Sequence, residues 1–264
     1  MKAVLRTCAC ALIVTFALSA QDSSTFDNRV TVALQRMADS ALSEREAGFD
    51  ALMALIGDSS DAATSLPGFL AHHQDLADQI TLGLIKLLNG YNYLFVSDPN
   101  PPGTYTEVDS EAYAAAIAVV ASLNDERAAP ALVGALPTGR MAYDGVIKYG
   151  MKALGAVLAG LKNQNGQVHS CAVDVAVTIL EEDHSAKSHG QALDIIRTAL
   201  VDREMLVRAV ALDMVEKLSD RAQFAPILQD IANHDPDVME QPGGEPVYPL
   251  RNQAVALLQK IKKQ

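Results

Sequence analysis

The densest group of side chains that could bind a metal lies between residues 181 and 189. Its members are carboxylates and imidazoles: Glu181, Glu182, Asp183, His184 and His189. A transition metal prefers two or three imidazoles or carboxylates that converge on one point. Helical patterns on both sides predict that this segment is a loop, and nothing in its spacing makes the side chains converge. We therefore expect a solvated loop and no metal site; a zinc site is the alternative.

The other histidines and the cysteine offer less chemistry. His72 and His73 are adjacent, so their side chains diverge on a helix or turn. His169 and Cys171 are two residues apart, and on a helix such side chains point roughly 200° away from each other. The sequence has no Gly-x-Ser-x-Gly turn, no glycine-rich phosphate loop and no His-Glu-x-x-His helix. We predict a non-catalytic protein without a cofactor.

Aromatic side chains concentrate in one segment, at about residues 90–109, which reads as an irregular loop. The chain as a whole contains only 5% aromatic residues. The segment holds four aromatics and three prolines: Tyr91, Tyr93, Phe95, Tyr105, Pro99, Pro101 and Pro102. Aromatic side chains supply large contact areas at modest entropic cost, which makes these four the candidate binding residues. The alternative is a structural loop that folds over neighbouring helices.

Helices must position these segments, because helical periodicity runs through the chain. The last segment shows one apolar stripe at i, i+3, i+4 and i+7: Ala254, Leu257, Leu258 and Ile261. Stop residues such as Asn89-Gly90 mark the joints. The pattern predicts further helices at about 27–40, 44–57, 74–89, 110–123, 127–136, 143–162, 166–181, 188–201, 204–218 and 221–233.

The predicted helix at 204–218 has a wide apolar arc. Its apolar residues form two adjacent rows at i, i+4 spacing: Leu206, Val210, Met214 and Leu218, and beside them Val207, Ala211 and Val215. A helix in a stacked array contacts its own partner and its neighbours in the stack, and so needs such an arc. The pattern therefore predicts burial on more than one side.

Two segments carry the same motif. From Leu200 to Leu212, an Asp in the turn precedes a Val-Arg pair, and Ala and Leu follow at helical spacing; Pro249–Leu258 repeats the motif. Leu123–Leu132 and Phe224–Leu228 are weaker echoes, each with a proline in the first turn of a helix, where its missing N–H is tolerated. The motif resembles the HEAT repeat. The whole chain is most similar to the short, alanine-rich HEAT-like repeats of phycobilin lyases and of many exported bacterial proteins.

The resemblance implies an all-α fold, a right-handed α-α superhelix of about five or six helical pairs in a single domain over residues 21–264. It gives structural roles to the positions that match the repeat: Asp125, Pro130, Asp202, Val207, Arg208, Asp220 and Arg251. It also implies contacts between loops, formed by Asp202 with Arg208 and by Arg251 with an upstream acid.

The first twenty residues have the pattern of a secretory signal peptide. Lys2 and Arg6 precede an apolar run from Thr7 to Leu18, and small residues follow at Ser19 and Ala20. The alternative is a retained anchor, but a membrane span needs about 20 apolar residues. We predict cleavage after Ser19 or Ala20. The protein is then exported, periplasmic or secreted, with no membrane insertion after cleavage.

Charge and cysteine content limit the partners of the exported chain. The full chain carries 21 basic and 32 acidic residues, a net charge of −11. Loss of Lys2 and Arg6 would make it −13, which disfavours nucleic acid and anionic membrane surfaces. Two of the three cysteines leave with the signal peptide. Cys171 alone remains, so no internal disulfide forms, and its apolar surroundings predict a small buried side chain rather than a reactive thiol.

These observations predict a scaffold that acts outside the cytoplasm and binds a protein or peptide through its concave face and loops. One alternative is a small-ligand carrier or lyase-like enzyme with a pocket under residues 91–105. A second alternative is a structural spacer without a specific ligand. Repeat resemblance indicates a fold and says little about function.

Overall fold

The protein is all-helical. The structure, a computed structural model, describes residues 26–57, 66–96, 110–240 and 244–263, and these form thirteen α-helices, four short 3-10 helices and no β-strand. The predicted all-α class is therefore confirmed. No helix in these ranges is both long and apolar enough to cross a membrane. The predicted signal peptide at residues 1–20 lies outside the described residues.

The chain divides into two compact units, with the boundary between Asp125 and Glu126. The first contains helices α1 (26–37), α2 (Leu42–Gly57), α3 (Leu66–His72), α4 (Gln74–Val96) and α5 (Ser110–Ser122). The second contains α6 (Ala129–Gly134), α7 (Arg140–Ile147), α8 (Leu154–Gly160), α9 (Gly166–Glu182), α10 (Ala186–Leu200), α11 (Met205–Lys217), α12 (Ala225–His234) and α13 (Pro249–Lys262). The expectation of a single domain over residues 21–264 stays a prediction.

In the first unit, α1 and α2 approach closely at Gly48. A Cβ atom at Gly48 would lie 2.6 Å from the backbone nitrogen of Met37 and 2.7 Å from the carbonyl oxygen of Ala33. Real side chains do not tolerate such distances from backbone atoms. Glycine at this position therefore lets the two helices pack backbone against backbone.

Helices in the second unit pack as consecutive pairs. α8 contacts α9, α10 contacts α11 and α12 contacts α13, while α9 also packs on α11 and α11 on α13. A continuous core of aliphatic side chains, with Val207, Ala211 and Val215 fully buried in it, joins α9 to α13. α9, α11 and α13 are thus each covered by a neighbour in the chain and by the helix two places along.

One buried ion pair ties the loops of the second unit together. Nε and Nη2 of Arg208 donate to the two carboxylate oxygens of Asp235, at 2.8 and 3.3 Å, and Nη2 also reaches Asp237. Nη1 of Arg208 donates to the carbonyl oxygens of Asp202 (2.7 Å) and Arg203 (3.0 Å). Nε of Arg251 donates to the carbonyl oxygen of Asp235, at 2.7 Å. The start of α11, the end of α12 and the start of α13 therefore meet at Asp235.

Three helix predictions are wrong. α4 continues to Val96 rather than ending at Asn89-Gly90, and the segment predicted as one helix at 143–162 is two, α7 and α8. Gly150 separates them with φ of +52°, a left-handed conformation that ends the first helix. The helix Leu66–His72 has no counterpart in the sequence-based prediction.

Removal of the Arg208 guanidinium is expected to destabilise the second unit strongly. The side chains of Arg208 and Asp235 are only 7% and 3% exposed, so Arg208→Ala leaves a buried, uncompensated carboxylate and costs about 3–5 kcal/mol in free energy of unfolding. Denaturant unfolding of the full chain measures the change. Arg140→Ala is the matched control, because it removes an ion pair with Asp144 that is exposed and contributes about 0.3–0.5 kcal/mol. Equal losses in the two variants would contradict the assigned role of Arg208.

The close approach of α1 and α2 gives a second stability prediction. Gly48→Ala forces the two helices apart and lowers the free energy of unfolding by about 1–3 kcal/mol. Gly57→Ala, at the end of the same helix, meets no atom within 4 Å and leaves stability unchanged or slightly raised. Thermal unfolding of both variants is the measurement, and a stabilised Gly48→Ala protein would rule out the tight contact.

Candidate functional site

A groove with a volume of about 900 Å³ lies on the second unit, across α7, α9 and α11. Twelve residues line it: Leu136, Gly139, Arg140, Tyr143, Asp144, Cys171, Asp174, Val210, Asp213, Met214, Glu216 and Lys217. It is larger than three other cavities, of about 320, 400 and 450 Å³, and more helices take part in it than in any of those three. It is therefore the candidate functional site.

Helical spacing places these side chains on one surface. In α11, Val210, Asp213, Met214 and Lys217 lie at i, i+3, i+4 and i+7, so they share one face. Arg140, Tyr143 and Asp144 do the same in α7, and Cys171 and Asp174 in α9. Because α9 packs against both α7 and α11, the three faces form one continuous surface.

The floor of the groove is apolar. Leu136 and Met214 are almost fully buried beneath it, at 3% and 5% exposure, while Val210 and Cys171 are half-buried along its sides. Tyr143, also half-buried, shares a hydrogen bond of 2.8 Å between its hydroxyl and that of Thr178. An apolar side chain of a ligand would therefore find contact area here without displacing any part of the core.

Carboxylates surround this floor. Asp144, Asp213 and Glu216 are exposed, and Asp174 is more deeply set, with 30% of its side chain exposed. Burial raises the pKa of Asp174, and Lys217, whose Nζ lies 3.8 Å from Oδ1 of Asp174, lowers it. The carboxylate is thus partly desolvated, and its nearest cation lies at the outer limit of an ion pair.

The hydroxyl and thiol in the groove are poorly suited to nucleophilic chemistry. Burial raises the pKa of the Cys171 thiol, and a hydrogen bond with Ser170 only partly offsets this. Burial likewise raises the pKa of Tyr143, against the hydrogen bond with Thr178, and the charges of Asp174, Glu182 and Asp144 raise it further. Both groups are therefore held in their neutral forms, which suits contact rather than attack on a substrate.

A smaller cavity of about 400 Å³ extends the groove along α9 and α11. Met214 and Lys217 line both, and Glu181, Glu182 and His184 line only the smaller one. The acidic segment 181–189 therefore lies at one end of the groove. Within the described residues, no group of three or more His, Cys, Asp or Glu side chains could hold a metal ion.

His189 joins two acids instead of a metal. Its Nδ1 lies 2.8 Å from Oε1 of Glu181 and its Nε2 lies 3.2 Å from Oδ2 of Asp220. Two carboxylates facing the two ring nitrogens favour the imidazolium form, and the hydrogen bonds with Glu181 and then Asp220 raise the pKa of His189 above 6.5. His169 lines a separate cavity, where its Nε2 lies 3.7 Å from Oδ2 of Asp202.

Of the four aromatic residues predicted to bind a ligand, three belong to a helix rather than to a loop. Tyr91 belongs to α4 and is fully buried, with its ring centroid 5.6 Å from that of Tyr113. This corrects its assignment as a surface contact, because a side chain without exposed area cannot meet a partner. Tyr93 and Phe95 also belong to α4, but their side chains lie outside the described residues, as does all of Tyr105.

The repeat positions form turns and packing contacts. Pro130 lies in the first turn of α6, as predicted, and Val207 is fully buried. Asp125 is half-buried in the turn before Glu126–Ala128. Asp202 accepts a hydrogen bond from the backbone nitrogen of Glu204 at 2.9 Å.

The predicted contacts of the arginines are present in a different form. Arg208 reaches the main chain of Asp202 rather than its carboxylate. Arg251 likewise contacts an upstream acid, Asp235, through its carbonyl oxygen. Asp220 accepts hydrogen bonds from Nε2 of His189, at 3.2 Å, and from Nε2 of Gln223, at 2.7 Å.

The sequence contained a signal for the groove that periodicity alone did not resolve. Of the two apolar rows in α11, only the row of Val207, Ala211 and Val215 is fully buried; in the other, Leu206 is 50% exposed and Val210 half-buried. The expected burial on more than one side therefore holds only in part. In this second row Met214 and Leu218 are buried, and Asp213 and Lys217 lie beside it along the groove.

Compared with known proteins, the chain matches no protein family, no curated protein and no solved structure.

The His189 bridge predicts a pH-dependent contribution to stability. Because folding raises the pKa of His189, its contribution is fully present below pH 6.5 and is lost as the pH rises through the folded-state pKa. His189→Gln should therefore lose more stability relative to the parent at pH 5.5 than at pH 8.5. Chemical unfolding across this range measures the difference. His72→Gln, whose ring contacts the carbonyl oxygen of Gly68 at 2.9 Å, is the control. A difference independent of pH would contradict the bridge.

Proposed function

We propose that this chain is a non-catalytic interaction protein that acts outside the cytoplasm and binds a segment of a protein or peptide in the groove across α7, α9 and α11. The observation that carries the proposal is the groove itself, with its apolar floor and charged margins on one helical surface. Grooves between helices that combine apolar contact area with a few polar groups are common sites of peptide recognition.

We also propose that the second unit is a short HEAT-like solenoid, and that the groove is part of its concave face. The alternating contacts of α9, α11 and α13, with α10 and α12 as their partners, support this arrangement. The contacts through which Arg208 and Arg251 join the turn before α11 to the loop after α12 support it as well. In a solenoid, the inner helices form an extended surface that binds partners.

The size of the groove favours a short segment over a large folded partner. Twelve residues line it, whereas a stable interface between folded proteins involves about 20–30 residues on each side. The neutral forms of Tyr143 and Cys171 favour binding over covalent chemistry. A peptide or a loop of a larger protein fits these dimensions.

Site-specific photo-crosslinking in cells that produce the protein tests this function. A benzophenone amino acid in place of Val210, which lines the groove, should crosslink one dominant protein. The same amino acid in place of Gln229, which is exposed on α12, should not crosslink that protein. The two positions lie in the same unit, so expression and compartment are matched.

The proposed function fails if Val210 gives no crosslink under varied growth conditions. It also fails if both positions capture the same set of proteins, because that result indicates random collision. Mass spectrometry of the product identifies the segment of the partner that lies in the groove.

A further inference from the structure

We infer that the segment bound in the groove is cationic and amphipathic, with an apolar side chain over Val210 and Met214 and a Lys or Arg side chain between Asp174 and Asp213. The inference rests on the proposed function and adds the chemistry of the partner. Two properties of the groove support it: the excess of carboxylates and the apolar floor.

The groove and its extension are strongly acidic. Six carboxylates line the two cavities: Asp144, Asp174, Glu181, Glu182, Asp213 and Glu216. Only two side chains that are always cationic, Arg140 and Lys217, line them as well. An excess of one charge sign in a concave surface attracts the opposite sign and repels like charge. The groove therefore selects against acidic segments.

Several of these carboxylates lack a close cation in the protein. Lys217 lies 3.8 Å from Asp174 and is itself 68% exposed. Among the described residues, Asp213 and Glu182 form no ion pair; Asp213 accepts a hydrogen bond of 2.5 Å from the side-chain amide of Gln253. Glu216, by contrast, pairs with Lys260, and Arg140 with Asp144. The unmatched negative charge is thus concentrated where α9 faces α11.

Asp174 is the carboxylate in the groove where a cation of the partner would bind most strongly. Its side chain is only 30% exposed, so solvent screens its carboxylate less than it screens an acid on the outer surface. An ammonium or guanidinium placed beside Asp174 and Asp213 would form charge-assisted hydrogen bonds, which are stronger than neutral ones. A cation from a partner therefore has more effect at this point than elsewhere on the acidic surface.

The apolar floor distinguishes a peptide from a simple polyamine. Leu136, Val210 and Met214 offer contact to an aliphatic side chain next to the carboxylates. A polyamine has charges but no apolar side chains, whereas an amphipathic peptide supplies both. Residues i and i+2 of an extended segment point to the same face, so a cation and an apolar side chain two positions apart would both reach this surface.

Binding of three fluorescein-labelled peptides to the intact, signal-cleaved chain tests the inference. Adjacent packed helices lie about 8–10 Å apart, so an extended segment of about six residues covers α7 to α11. The peptides are slightly longer and carry Lys and Leu, Glu and Leu, or Lys and Ser in turn at every second position, with Gly between them, so that both side-chain types lie on one face. Fluorescence anisotropy should show the tightest binding for Lys-Leu, weaker binding for Lys-Ser and none for Glu-Leu.

Two variants with the same change in net charge locate the effect. Asp174→Asn with Asp213→Asn removes two carboxylates from the groove and should weaken Lys-Leu binding roughly tenfold. Asp194→Asn with Asp230→Asn removes two exposed carboxylates from α10 and α12 and should leave the affinity within about twofold. Thermal unfolding of both variants checks that they remain folded.

The possible failures differ from each other. If Glu-Leu binds as tightly as Lys-Leu and Val210→Arg weakens both, the groove binds peptides without selecting charge; the inference is then wrong and the proposed function stands. Equal weakening by the two double variants, or equal binding of Lys-Ser and Lys-Leu, would reduce the effect to overall charge and overturn the inference. Absence of binding by all three peptides overturns it too, whereas the crosslinks from position 210 decide the proposed function independently.

Discussion

Arg208 lies almost entirely out of contact with solvent, and every part of its guanidinium has an oxygen partner. Asp235 supplies both carboxylate oxygens, and the turn before α11 supplies the carbonyl oxygens of Asp202 and Arg203. Arg251 completes the junction from α13 through the carbonyl oxygen of Asp235. Removal of only one partner of a buried ion pair is strongly destabilising, because it leaves the other charge desolvated and uncompensated. The order of the second unit depends on this junction.

The junction also determines which face of α11 is open. Val207, Ala211 and Val215 turn into the core, and Arg208, next to Val207, fixes the start of the helix against Asp235. The adjacent face, with Val210, Asp213 and Met214, forms one side of the groove. Met214 belongs to both faces, because it is 5% exposed in the core and also lines the groove.

Much of the fold follows from sequence periodicity, and the errors have identifiable physical causes. Gly90 was interpreted as a helix stop, but α4 continues through it, and a Cβ there would lie 2.9 Å from a guanidinium nitrogen of Arg45. The glycine makes room for a neighbour rather than ending the helix. Gly150, inside a continuous helical pattern, has a positive φ that a sequence does not reveal.

The groove could not be predicted because it is formed by residues from three helices. Each helix shows its own stripe, but periodicity along one helix does not say which stripe faces solvent once the neighbours have packed. The prediction that Tyr91 binds a partner is wrong for the same reason. An aromatic residue in a predicted loop suggests contact with a partner. Tyr91 instead lies inside α4, where it packs against Tyr113. Pairwise helix packing is the missing information in both cases.

We propose that the groove face of α11, with Val210, Asp213 and Met214, binds a cationic amphipathic segment. Methionine methyl resonances test it directly, because Met214 lines the groove while Met239, in the loop after α12, is 56% exposed away from it. With methyl-labelled methionine in the intact chain, addition of the Lys-Leu peptide should shift the resonance of Met214 and leave that of Met239 in place. Assignment follows from Met214→Leu and Met239→Leu. A shift of Met239 with Met214 unmoved would contradict the account.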